Sequence, residues 1–218
     1  MPHQRVHLSV SELRCDVQSE SGGCEPYLWT TFFALGSSDS ANGQLEVRTP
    51  THPDIRGAFP DNISDGDSLP VPEEIGSANF TLDDRAGGRR LVGIAAMVLD
   101  EDASRAPAVE AAQDAYAEAV GQQLRSYAGR LGSSESEQPS DADLAEIRGA
   151  ILSHMRAAVD GTYNYTDLFT DQDDHLGFGI RLFRDGQAGE FELHLTGAHD
   201  RFTLRGEVSA EAAETSAA

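Results

Sequence analysis

The run Leu91-Val-Gly-Ile-Ala-Ala-Met-Val-Leu99 is apolar or glycine at every position and stops at three consecutive acids, Asp100, Glu101 and Asp102. It is too short for a membrane span, and a strand with no polar alternation must be covered on both faces, so the fold has to supply two layers around it. Far downstream the order reverses: Asp171-Gln-Asp173-Asp174 comes first and the β-like His175-Leu-Gly-Phe-Gly-Ile-Arg-Leu-Phe183 follows. The two segments read as one strand, acidic loop, strand unit, split by an insertion over residues 103–170.

The flanking sequence supplies the covering layers. Val6, Leu8 and Val10 alternate with polar neighbours, the period-two signature of a half-buried strand. Pro26 to Leu35 is rich in aromatic and β-branched residues and predicts a second strand, with Trp29, Phe32 and Phe33 in the core. Residues 36–68 are mostly Ser, Asp, Asn, Gly and Pro around one β-like piece, Gln44 to Arg48, which predicts an unusually long loop. Ser68 to Ile75, interrupted by prolines, reads as an edge strand or extended segment. Ala78 to Leu82 alternates again.

Within the insertion, Val109, Ala112, Tyr116, Val120, Leu124, Tyr127 and Leu131 recur at steps of three and four and form one helix face. A second stripe, Leu144, Ile147, Ile151, Met155 and Val159, follows a polar linker, and Ser140 with Asp143 has the form of a capping box. The short link predicts an antiparallel helical hairpin. The chain then returns to β structure in a meander: His175 to Phe183, Phe191 to Leu195, and Arg201 to Val208. Residues 209–218 read as a loose acidic tail, leaving a single domain over 1–208.

Charge narrows the partners. Asp and Glu number 37 against 16 basic residues, all arginine, for a formal net charge of −21. That field repels phosphates, which excludes unaided nucleic-acid binding and argues against a membrane surface, while it attracts cations. Acid excess without lysine resembles salt-adapted, halophilic proteins. No signal peptide or membrane span is visible, so the default compartment is cytoplasmic. Cys15 and Cys24 are the only cysteines, and in a reducing compartment they are expected as thiols.

The acids also form a constellation. Calcium takes six to eight oxygen ligands, usually from loop carboxylates. Asp100 and Asp102, two apart where a strand frays, can face one ion, with Asp174 across the same mouth and Asp16 and Glu25 completing a cup. These residues resemble the C2 domain pattern: Leu13-Arg-Cys-Asp16 ending a first strand, Gly22-Gly-Cys-Glu25-Pro26-Tyr27-Leu28 opening a second, Val98-Leu-Asp100-Glu-Asp102, and Asp174-His-Leu176-Gly177. The resemblance implies an eight-stranded antiparallel β-sandwich with acidic loops clustered at one end and calcium as cofactor. Glu25 stands where the family has aspartate, the third acidic loop is split by the insertion, and a lysine-rich groove has no counterpart.

No His-Glu-x-x-His pair, phosphate-cradling glycine loop or nucleophile elbow is present. The leading expectation is therefore a non-enzymatic, C2-like calcium-binding module that engages a protein partner. An accessory structural subunit of a viral or contractile particle is the alternative, and a metal-dependent hydrolase built on Asp171 to His175 is a third.

Overall fold

The all-apolar run becomes the central strand of an antiparallel β-sandwich. A computed structural model describes residues 3–19, 23–37, 45–51, 59, 62–83, 90–100, 106–131, 138–163, 175–184 and 187–213. Strand β6 (Leu91–Asp100) lies between β2 (Pro26–Leu35) and β7 (His175–Arg184), paired from Pro26↔Asp100 to Leu35↔Leu91 on one side and from Leu99↔His175 to Leu91↔Arg184 on the other. Every residue of β6 is buried. Val92, Ile94, Ala96 and Val98 enter the sandwich interior, whereas Leu91, Ala95, Met97 and Leu99 face the helices. The absence of alternation thus has a direct cause: both faces of the strand are core.

The remaining strands are β1 (His3–Val17), β3 (Leu45–Arg48), β4 (Ser68–Pro70), β5 (Ser77–Asp83), β8 (Gly189–Thr196) and β9 (Arg201–Ala213). The sheet runs β3-β2-β6-β7-β8-β9-β1-β4, with β5 also on β1. Among the described residues eight strands follow one path, and the ninth arises because β1 is long enough to seat β4 at residues 12–14 and β5 at residues 3–9 on the same edge.

The sheet folds over between β7 and β8, which share a single described register pair, Phe178↔Thr196. Gly177 and Gly179 permit this close crossing. A Cβ on Gly179 would sit 2.5 Å from the His194 carbonyl oxygen. Farther along β7, the backbone of Leu182 is paired by a side chain instead: the Gln138 amide donates to its carbonyl at 2.8 Å and accepts from its N–H at 3.0 Å. Buried backbone groups need such partners, and Gln138 supplies them where β8 diverges.

The two halves enclose Leu8, Leu28, Phe32, Ile94, Leu195, Phe202 and Leu204 in one interior cluster. The far edges meet through the bridges Cys24↔Ile63 and Ser37↔Leu82 and through the Thr30 hydroxyl, which donates to the Ile75 carbonyl beside the one-turn helix α1 (Glu73–Gly76).

The insertion forms α2 (Ala106–Leu131) and α3 (Asp141–Tyr163), packed on each other and over the outer face of β2, β6 and β7. Ile147, Ile151, Met155 and Val159 are buried as their spacing predicts. The capping box is present: the Asp143 N–H donates to the Ser140 hydroxyl oxygen at 3.2 Å and the Ser140 N–H to the Asp143 carboxylate at 3.1 Å.

Three expectations change in detail. Trp29 and Phe33 point toward the helices, with Trp29 and Tyr116 rings 5.4 Å apart; only Phe32 of the aromatic trio enters the interior. Strand β9 continues to Ala213, pairing with His3, so residues 209–213 are strand because β1 begins early enough to partner them. Ser68 to Ile75 is not extended throughout: only Ser68–Pro70 is strand, and the chain then turns into α1 (Glu73–Gly76). Cys15 and Cys24 are both buried and not joined by a disulfide.

Candidate functional site

Antiparallel alternation brings many strand ends to one rim. Pro26 pairs with Asp100, His175 with Leu99, and Arg201 with both Thr196 and Val17. Asp16, Glu25 and Asp100 therefore stand at the same end of the sandwich. Asp102 and Asp174, with Glu101, Asp171 and Asp173, lie outside the described residues.

Two buried aspartates hold the ends of the β1–β2 loop. Asp100, 5% exposed, accepts the Glu25 N–H at 2.7 Å, so the backbone of Glu25 is anchored while the residue stays exposed. Asp200, 3% exposed, accepts the Ser19 N–H at 2.7 Å and the Ser19 hydroxyl at 3.0 Å. A carboxylate accepting backbone N–H groups makes a charge-assisted bond, roughly twice as strong as a neutral one. Asp200 was not legible as an anchor in the sequence, because its partner lies near the other end of the chain.

Asp16 is held differently. Its Oδ1 accepts the Arg14 guanidinium, Nε at 2.7 Å and Nη2 at 2.5 Å, and its Oδ2 accepts the Thr203 hydroxyl at 2.6 Å. Burial alone would raise its pKa, but the bonds from Thr203 and Arg14, with the positive charge of Arg14 and the nearby His194, outweigh it and hold the carboxyl below its ordinary value. Asp16 is thus ionised, its charge balanced by Arg14 at Oδ1 while Thr203 occupies Oδ2. Thr203 continues the contact to His194, whose Nδ1 is 3.1 Å from its hydroxyl oxygen. Arg14, Thr203 and His194 are register neighbours across β1, β9 and β8, forming one polar rung. A parallel rung lies beside it, where Arg205 reaches Glu192 at 3.0 Å and Glu12 at 3.1 Å. Being exposed, this second rung adds little stability.

His175, at the start of β7, has its Nε2 buried without a hydrogen-bond partner among the described residues. Burial, and secondarily the charges of Arg148 and Arg156, push its pKa down to about 4, so the ring is neutral. Two arginines beside it also oppose a cation there. Among the described residues, no group of three or more His, Cys, Asp or Glu is arranged to hold a metal ion. Nor is any described helix long and apolar enough to cross a membrane.

No family profile and no curated protein matches the chain. Among solved structures it is similar to a C2 domain of plant extended synaptotagmin 1, with 11% identity over 99% of each chain and a TM-score of 0.38. The fold assignment rests on the strands and their registers.

Proposed function

We propose that this chain is a non-enzymatic interaction module whose acidic rim takes calcium, with Asp100 and Glu25 contributing oxygens together with Asp102 and Asp174. The observation that carries this reading is the register Pro26↔Asp100 and Leu99↔His175, which brings the ends of the acid-flanked strands together. Calcium is favoured over softer cations because every residue invoked offers oxygen. Asp16 serves in this reading as a brace for the β1 end, its oxygens being occupied by Arg14 and Thr203. The partner is a protein, since a net charge of −21 disfavours nucleic acid and anionic membranes.

The experiment is thermal unfolding with millimolar calcium against chelator. Calcium should raise the melting temperature, because a ligand that binds only the folded state stabilises it by mass action. The Asp100→Asn, Asp102→Asn double variant should lose that rise. Identical melting curves with calcium and with chelator would sink the metal reading and leave the sandwich untouched.

A further inference from the structure

A second site lies beside the rim, between α3 and the β8 end of the sheet. Here a groove of about 390 Å³ is walled by Leu144, Ala145 and Phe178 and carries Arg148, His194 and Asp141. Its volume falls within the range of small-molecule sites. One acid against an arginine and a histidine makes it a local exception to the strongly negative chain.

The rung behind the groove fixes which nitrogen of His194 carries the proton. Asp16 is ionised and can only accept, so at 2.6 Å the single hydroxyl proton of Thr203 must point to Asp16. The Thr203 oxygen then has only lone pairs to offer His194. At 3.1 Å it accepts Nδ1–H, so whenever the imidazole is neutral its free lone pair is at Nε2. Thr203 itself is fully buried. Arg148 is positioned as well: its Nη1 donates to the Thr196 carbonyl at 3.0 Å, leaving further N–H donors on the guanidinium.

We propose that this groove binds a small organic acid bearing a hydroxyl beside its carboxylate, with Arg148 holding the carboxylate, Nε2 of His194 accepting the hydroxyl proton, and Leu144, Ala145 and Phe178 covering an apolar body. Arg14, Asp16 and Thr203 are positioning residues, acting through His194. This inference is independent of calcium at the rim.

The test uses the full chain and mandelate, whose phenyl ring suits the apolar wall, with phenylacetate as the analogue lacking the hydroxyl. Calorimetry should give saturable mandelate binding, weakened about tenfold or more in Arg148→Gln and in His194→Ala, and about tenfold weaker for phenylacetate, the scale of one lost hydrogen bond. His194 is exposed, so its truncation leaves the fold intact. Long-range ¹H–¹⁵N spectra of the unliganded protein should show His194 protonated at Nδ1, and Thr203→Val should redistribute that proton. Absence of mandelate binding, equal binding of phenylacetate, or an Nε2–H tautomer in the parent protein would each overturn the proposal.

Discussion

Gly179 and His194 cross so closely that a single added methyl on Gly179 would lie 2.5 Å from the His194 carbonyl oxygen. This approach lets the sheet turn over between β7 and β8, and it sets His194 on the strand that lines the α3 groove. Backbone is the obstacle here, and backbone cannot rotate aside as a side chain can.

Gly179→Ala is therefore expected to destabilise the fold by about 1–3 kcal/mol, the usual cost of overpacking a filled site. Urea denaturation would measure it. An unchanged midpoint would show that β7 and β8 are farther apart than this crossing requires.

Thr203→Val keeps the shape of a buried side chain but removes the donor to Asp16 and the acceptor for His194. A cost of about 1–3 kcal/mol is expected, because polar partners are left behind. Asp16 keeps Arg14, so the variant should still fold cooperatively, and denaturation with an unaltered slope would show that.

Asp100→Ala should free the Glu25 amide, which now donates to that carboxylate at 2.7 Å. Amide hydrogen exchange at Glu25 should accelerate markedly, while exchange in the middle of β6 stays slow. Asp100→Asn retains an acceptor oxygen and should show the smaller effect. If Glu25 exchanges equally fast in all three proteins, the anchoring role is wrong.

Ile151 is fully buried in the layer between the helices and the sheet. Truncation to alanine should cost about 2–5 kcal/mol through lost transfer energy and the cavity left behind. Trp29 lies in the same layer, so its fluorescence should report the loosening.

His175 gives a pH dependence of known sign. Its ring titrates near 6.5 in an unfolded chain and is pushed down to about 4 by burial and by Arg148 and Arg156. Between those values the unfolded chain binds a proton that the fold excludes, so stability declines as pH falls from 6.5 toward 4. His175→Gln should reduce the slope of stability against pH there by about one proton's worth. Asp16 acts lower: its depressed pKa stabilises the fold above its ordinary value near 3.8, and that contribution is lost on further acidification. An unaltered slope in His175→Gln would contradict a neutral, buried ring.

The sequence by itself determined the elements and most of their faces. A run apolar at every position, Leu91 to Leu99, had to be covered twice, and the helix stripes from Val109 and from Leu144 could only be core-facing, because burial follows the periodicity of the backbone. Those are local signals. Which cover lay on which side was not local: Trp29 and Phe32 have similar chemistry, yet one faces the helices and the other the interior, a choice made by the register of β2 against β6. Likewise Asp16 was visible as an acid at a strand end, but nothing near it announced Thr203 or His194. Those partners are brought to it across β9 and β8 by long-range pairing, and only the tertiary fold decides which far-apart residues share a rung.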